Sequence, residues 1–421
     1  MKPMITDLAR KRVTLLGIFG SGNLGNECTL WAMLHNLRRW RPDAQISCIC
    51  TGPEVTASTY NILASPIREM PLTGMRSRLL RWLRRIIVGI PVELYRWASA
   101  IKKSRNSHML IITGTGMLTD VGMLPFGLHY DLLKWSIAAK LCRRKLLFVS
   151  VGVGPIRHPL SRFFIKTALR LADYRSYRDR FSKDYLEGIG FKTNGDAIYP
   201  DLAFSLPRGI VPSSRKRENR RGLIGVGLIT HNRKRTTSEN DEAIYKDYIK
   251  KVAAFVGWLL ERKYTVRLLI GDVAYDMRAR QDLKALLERN GWKFDGIEIV
   301  DEPAHSVDQL LSQLVETDVV IASRFHNVLL ALMLGKPVVA ISFHEKVDSL
   351  MSAVGLTEFC QDIENIDLEK LTAQFAALKE HTEYLKLQVQ QKTESYRRAL
   401  DRQYEDIFGA ATVHESAAGR S

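Results

Sequence analysis

The stretch Asp318-Val-Val-Ile-Ala-Ser-Arg-Phe-His-Asn-Val-Leu-Leu-Ala-Leu-Met-Leu-Gly335-Lys-Pro-Val-Val-Ala-Ile-Ser342 decides the fold. A short apolar run, Val319–Ala322, ends in Ser323-Arg324-Phe325-His326. An apolar helical pattern follows and stops at Gly335. Lys336-Pro337 then leads into a second apolar run, Val338–Ser342. Runs that are apolar at every position need cover on both faces. The stretch therefore reads as a strand–helix–strand unit of a parallel sheet.

Working outward, the same alternation recurs. Strands are expected at Val13–Phe19, Gln45–Thr51, Met109–Thr113, Leu146–Val151 and Ala197–Tyr199, and again at Leu223–Ile229, Thr265–Ile270 and Ile297–Val300. Helical patterns fall between them, for example Glu27–Arg39, Tyr130–Cys142, Tyr245–Glu261 and Met277–Asn290. The expected class is α/β, with two Rossmann-like domains whose parallel sheets face a cleft. A chain of 421 residues is long enough for two such domains. The first spans residues 1–207 and the second 222–366, with a basic linker at 208–221 between them. Residues 367–408 read as polar helices that pack back on the first domain, and 409–421 as a disordered tail.

Apolar residues make up 46% of the chain and charged residues 25%, which excludes a fibrous or largely disordered protein. Lys and Arg number 62 against 45 Asp and Glu, a net charge of +17. Residues 73–105 hold +8 of this and residues 208–221 hold +5, so the basicity is local. Within the first segment, a basic amphipathic insert, Leu79, Leu80, Trp82, Leu83, Ile86, Ile87 and Ile90 share one helical face. Arg78, Arg81, Arg84 and Arg85 share the other. This is the pattern of a helix lying in an anionic membrane surface through residues 76–90. A core-packed helix with a solvated basic face is the alternative. No helix-turn-helix, zinc or RNA-binding signature accompanies the charge, so no nucleic acid partner is expected.

The five cysteines are scattered and fit neither a disulfide framework nor a zinc site. The opening residues lack a signal peptide, and no stretch of about 20 residues is apolar without charges. The expected location is cytoplasmic. It becomes peripheral on the inner face of the cytoplasmic membrane if the basic segment docks there.

In open parallel sheets ligands sit beyond the carboxyl ends of the strands. Three glycine loops lie there. Gly20-Ser-Gly22-Asn23-Leu-Gly25-Asn26 opens a helix; Gly114-Thr115-Gly116 follows the strand Met109–Thr113; Ser150-Val-Gly152-Val-Gly154-Pro155 follows Leu146–Val151. Glycine there admits tight turns and close backbone approach, and helix N-terminal amides attract anions. The first loop is a literal dinucleotide fingerprint, yet no acidic residue closes the next strand, which ends Cys50-Thr51-Gly52-Pro53. A binding loop of another kind is the favoured reading.

Arg178, in Ser176-Tyr-Arg-Asp179, offers a planar fork for a carboxylate or phosphate; a surface ion pair with Asp179 is the plainer reading. Arg324 and His326 stand at a strand's carboxyl end on a helix N-terminus, as an anion site with an acid/base partner would. Phe343-His344-Glu345-Lys346 follows the next strand and adds cationic groups.

Several pieces occur together in the order of a known family. They are Gly22-Asn-Leu-Gly-Asn-Glu27, Gly114-Thr-Gly116, Ser150-Val-Gly-Val-Gly-Pro155, Tyr177-Arg-Asp179 with Ser182 and Leu186, Pro200-Asp-Leu-Ala-Phe204, and Ser323-Arg-Phe-His-Asn327 through Gly335-Lys-Pro337 to Lys346. Over residues 13–355 the chain resembles the polysaccharide pyruvyl transferases. It departs from their usual pattern at Asn26, where the family has Asp, and at Thr115, where it has a third glycine. The resemblance implies a fold like that of the B-type glycosyltransferases. It implies transfer of a pyruvyl group from phosphoenolpyruvate to two hydroxyls of a sugar, forming a ketal on a cell-surface polysaccharide or its lipid-linked precursor. Phosphoenolpyruvate is then a co-substrate, and neither a metal nor another cofactor is expected.

On that reading Arg178, Arg324 and His326 are catalytic, with His326 the general acid. Gly22, Asn23, Gly25, Asn26, Gly114, Thr115, Gly116, Gly152, Gly154, His344 and Lys346 bind substrate. Asp120 and His129 are candidate bases. Two other classes stay open: a glycosyltransferase with a nucleotide-sugar donor, for which Asp272, Glu302 or Glu345 would hold the ribose, and a non-catalytic sugar- or partner-binding relative.

Overall fold

The computed structural model describes residues 12–69, 89–120, 122–210, 222–230, 239–294 and 296–409. Most of the predicted membrane helix (76–88), of the linker (211–221) and of the tail (410–421) lies outside the described residues.

The first lobe is built on β1 (Arg12–Gly17), β2 (Gln45–Cys50), β3 (Leu63–Pro66), β4 (Met109–Thr113), β5 (Lys145–Val151), β6 (Tyr174–Tyr177) and β7 (Ala197–Ile198). They pair in parallel in the order β3-β2-β1-β4-β5-β6-β7. Its helices are α1 (Leu24–Trp40), α2 (Pro53–Tyr60), α3 (Gly89–Arg105), α4 (Tyr130–Leu141), α5 (Pro159–Leu171) and α6 (Arg180–Gly188).

The second lobe contains β8 (Leu223–Gly227), β9 (Thr265–Leu269), β10 (Ile299–Val300), β11 (Val319–Ala322), β12 (Val338–Ser342) and β13 (Cys360–Asp362). These are parallel too, in the order β10-β9-β8-β11-β12-β13. Its helices are α7 (Glu239–Glu261), α8 (Met277–Arg289), α9 (Val307–Glu316), α10 (Phe325–Met333), α11 (Glu345–Ala353) and α12 (Leu368–Glu380). The last helix, α13 (Thr382–Phe408), runs back across the first lobe.

Every residue of β4, β8, β9, β11 and β12 is buried. Cover on both faces is why most of these strands appear in the sequence as apolar runs; β9 keeps Arg267 at its centre by pairing it with Glu302 and Glu316. Strand order reverses between β1 and β4 in one lobe and between β8 and β11 in the other. A crevice opens at such reversals, because the flanking connections leave to opposite faces of the sheet. The loops carrying Gly20–Asn23 and Gly114–Gly116 flank the first reversal; Arg324 and His326 flank the second.

The lobes share one apolar core. It runs from Leu24, Cys28 and Phe204 through Phe325 and Leu330 to Tyr404 and Phe408 of α13. Leu400, Ile407 and Phe408 are at most 1% exposed. Burying each contributes roughly 1.5–3 kcal/mol, which anchors a helix that is polar over most of its length. The joint also carries polar links. The Leu24 amide donates to the Gly271 carbonyl at 3.0 Å, and the Val273 amide to that of Gly22 at 2.9 Å. The Asn23 side chain donates to Asp272 at 2.9 Å. All five cysteines are free.

Candidate active site

Strand β6 delivers Arg178 to the cleft. Its sequence, Tyr-Arg-Ser-Tyr, is fixed by polar pairing. Arg175 makes a forked pair with Asp196 at 2.8 and 3.0 Å, Tyr177 donates to the same carboxylate at 2.9 Å, and Ser176 Oγ accepts from the Ser150 amide at 2.8 Å. The Arg178 guanidinium then reaches Asp179 at 3.2 Å and Asp201 at 3.4 Å. It stands 4.8 Å over the ring of Phe325, from the other lobe. A Cβ on Gly152 would overlap this guanidinium. The third glycine loop therefore makes room for an arginine.

Helix α10 starts at Phe325, directly after β11, and turns His326 toward the first lobe. A Cβ on Gly25 would overlap Nδ1 of the imidazole. The other ring nitrogen, Nε2, is buried and has no hydrogen-bond partner. Asp201 Oδ2 lies 4.0 Å from it. Helix α11 brings the third cation. Its N-cap is His344, whose Nδ1 accepts from the Lys346 amide at 3.2 Å. Lys346 Nζ lies 5.7 Å from the centre of the Phe325 ring and 4.9 Å from that of Phe343. A Cβ on Gly154 would sit 3.4 Å from His344 Nε2 and 2.9 Å from Thr119.

Arg178, His326 and Lys346 thus converge from both lobes around one aromatic ring. Burial lowers the Lys346 ammonium to about 7, reinforced by the positive charges of Arg178 and Arg324 against the pull of Asp201 and Asp179. Burial also lowers the His326 imidazole to about 4; Asp201 opposes this, and Arg178, Lys346 and Arg324 add to it. His344 falls to about 4 through burial and the Lys346 charge. Of these groups it is therefore Lys346 that titrates near neutrality, although the sequence reading made His326 the general acid. Burial first, and neighbouring positive charge second, thus hold both Lys346 and His326 below their ordinary values.

Arg324 is near, but its guanidinium is committed. It grips Asp276, which is fully buried, through three contacts of 2.6–3.1 Å. Asp276 also accepts from the Thr230, Gly271 and Asp272 amides. Breaking such a buried pair costs about 3–5 kcal/mol, so Arg324 acts on the site through its charge and its place in the fold.

The first glycine loop packs on the second lobe. A Cβ on Gly22 (φ +87°) would sit 3.6 Å from Val273 and Ala274. Asn23 caps α1, accepting from the Asn26 amide at 3.1 Å. Thr115 Oγ1 accepts from the Ile18 amide at 3.1 Å, and a Cβ on Gly114 would meet the Ser150 carbonyl at 2.5 Å. Gly116 faces open space. Asp120 is taken up by the Arg157 and His158 amides at 2.6 and 2.7 Å. His129 is taken up by Ser161 and the Thr119 carbonyl at 3.1 and 2.9 Å. Of the carboxylates suited to a ribose, Asp272 accepts from Asn23 and from the Ala274 and Tyr275 amides. Glu302 binds Arg267 at 3.1 Å, and Glu345 is exposed.

Two groups at the site were given no role by the sequence reading. Asp201 was visible as a carboxylate just past the strand Ala197–Tyr199, and its Oδ1 caps the turn at Ala203. Gln403 of α13 gave no signal. Its side chain accepts from Ser150 Oγ at 3.0 Å and donates to Ser176 Oγ at 2.7 Å. Ser150 is left-handed (φ +47°) where β5 breaks register between Phe148 and Val151, a geometry costing about 1–3 kcal/mol. Gln403 thus clamps two strand ends, each two residues before Gly152 or Arg178. Beside Arg178 and Lys346 opens a cavity of about 850 Å³ that extends to α13.

A family model described as polysaccharide pyruvyl transferase matches residues 23–345. The chain belongs to that family. The matched span takes in Gly25, Arg178, Asp201 and His326 and stops one residue short of Lys346. The chain is similar to the amylovoran biosynthesis protein AmsJ of Erwinia amylovora, at 20% identity over 412 residues, 92% of this chain and 96% of that protein. Among solved structures, S. aureus MnaA with UDP superposes with a TM-score of 0.60 at 12% identity over 94% of this chain and 96% of that one. A glycosyltransferase from Rickettsia africae ESF-5 gives 0.53 at 12% identity, covering 94% and 98%. At such identities the likeness is one of fold: two facing α/β lobes of the B-type glycosyltransferase kind. No helix among the described residues is long and apolar enough to cross a membrane.

Proposed function

We propose that this pyruvyl transferase takes its pyruvyl group from phosphoenolpyruvate. It joins that group as a cyclic ketal to two hydroxyls of a sugar, in a cell-surface polysaccharide or its lipid-linked precursor. The observation that carries this reading is the convergence of Arg178, Lys346 and His326 on Phe325, with His326 Nε2 buried and unpartnered. A donor with a carboxylate and a phosphate suits that cluster.

Arg178 and Lys346 hold the anionic groups. The donor's negative charge raises the affinity of His326 for a proton, and Asp201 steadies the imidazolium. His326 protonates the methylene carbon, leaving an oxocarbenium-like centre at the neighbouring carbon. One sugar hydroxyl bonds to that carbon and gives up its proton. The carbon–oxygen bond to phosphate then breaks, and phosphate leaves with the electron pair, its charge met by Arg178 and Lys346. The second hydroxyl closes the ring. Of the two hydroxyl protons, one replaces that lost by His326 and the other leaves with phosphate. These steps draw on no metal or further cofactor.

Phosphoenolpyruvate binding should be linked to proton uptake. Lys346 is charged below about pH 7 in the free protein, and a bound anion raises it further. Through Lys346, affinity should weaken above pH 7, by up to about tenfold per pH unit, until the bound-state value is passed. Calorimetric titration from pH 6 to 9 checks this, with Lys346→Met expected to bind weakly and without the pH dependence. Absence of saturable phosphoenolpyruvate binding at pH 6 would remove the donor assignment.

The protein's expected seat is an anionic membrane surface. Ile90 and Leu94, a helical turn apart at the start of α3, are 61% and 65% exposed, and Ile90 is one of the apolar set read from the basic segment. Flotation with anionic vesicles should carry the protein upward, and replacement of Arg78, Arg81, Arg84 and Arg85 by Glu should abolish it. Sedimentation of the unaltered protein without the vesicles would rule the surface out.

A further inference from the structure

The cavity of about 850 Å³ beside Arg178 and Lys346 lies between α11 and α13. It falls in the upper part of the range of about 300–1,000 Å³ typical of small-molecule sites, far more than a three-carbon donor fills. Its walls are of three kinds. Tyr396 and Ile198 offer apolar and aromatic surface, Ser349, Ser352 and Ser395 offer hydroxyls, and charged side chains, Asp348 and Arg402 among them, complete the lining. Tyr396 is held edge-on against Phe204 with ring centres 5.0 Å apart. Burial alone pushes its phenol up to about 12, so it stays a neutral donor and acceptor across the physiological range.

We infer that this cavity is the acceptor subsite and that its occupant is a pyranoside. The inference rests on the donor assignment above and names the partner substrate's place. Both reacting hydroxyls must meet the same donor carbon, so acceptor and donor need one chamber. Arg178 and Lys346 form the wall that this cavity shares with the donor cluster. A pyranose presents C–H faces and a rim of hydroxyls. The faces suit Tyr396; the rim suits the serines, each able to donate and accept. The terminal helix, outside the sheets that hold the donor cations, then supplies acceptor recognition through Tyr396 and Ala399.

Saturation-transfer NMR on the full chain tests this with methyl galacto-, gluco- and mannopyranoside as probes. At least one should receive saturation from the protein. Tyr396→Ala and, independently, Ala399→Trp, which fills the cavity, should lose that transfer while phosphoenolpyruvate affinity stays at the unaltered level. Transfer that persists in both variants, or that is absent for all three probes in the unaltered protein, overturns the inference. A protein that binds a pyranoside through Tyr396 but not phosphoenolpyruvate would instead overturn the donor assignment and leave the sugar site standing.

Discussion

Replacing His326 by alanine is expected to lower turnover at least about a hundredfold, within the usual contribution of a positioned acid/base group. The loss should lie in turnover, with phosphoenolpyruvate still bound through Arg178 and Lys346. Folding should survive. The ring nitrogen that faces the site has no hydrogen bond to lose, and burial holds the imidazole neutral in the free protein at neutral pH. Phosphate release from phosphoenolpyruvate in the presence of acceptor is the measurement, with the thermal transition as the check on folding. Near-normal release would take His326 out of the proton-donor role. Asp201, 4.0 Å from Nε2, would then be left as a partner of Arg178 and a turn cap alone.

Gly25→Ala should produce a comparable loss of turnover through a different atom. A Cβ there overlaps the imidazole at Nδ1. The ring sits at the joint between lobes on a short side chain, so it must swing out of place. Gly25 lies in the first turn of α1 and is absent from the positive-φ residues. Alanine is also the better helix former by about 0.8–1 kcal/mol. Backbone strain therefore cannot account for a loss, and displacement of His326 can. The ring's NMR resonances should shift in Gly25→Ala while the phosphoenolpyruvate affinity holds. Unchanged turnover with unmoved resonances would show that the joint relaxes around the added methyl.

Legibility in the sequence followed burial. The unit β11-α10-β12 was readable because both faces of both strands are covered, which leaves little choice but Val, Ile and Ala. β6, which carries Arg178, was hidden because polar pairing through Asp196 and Ser150 holds it in place of an apolar run. β3 and β13 were hidden as short strands at or next to sheet edges, where burial is partial. The glycine loops were found, but their purpose was only half readable. Gly25 and Gly152 spare space for an imidazole and a guanidinium contributed from elsewhere in the chain. Gly22 serves the contact between lobes.

The amino-acid order alone settled the α/β class, the two parallel sheets and the family. Each of these depends on residues near one another along the chain, where apolar period, glycine punctuation and motif order can be read directly. Tertiary structure alone decided how each cation is engaged. It tied Arg324 to Asp276, set Asp201 beside His326, brought Gln403 from the last helix to the strand ends, and moved titration near neutrality from the histidine to Lys346. Desolvation and Coulomb interaction depend on distance through space, and no spacing along the chain encodes them.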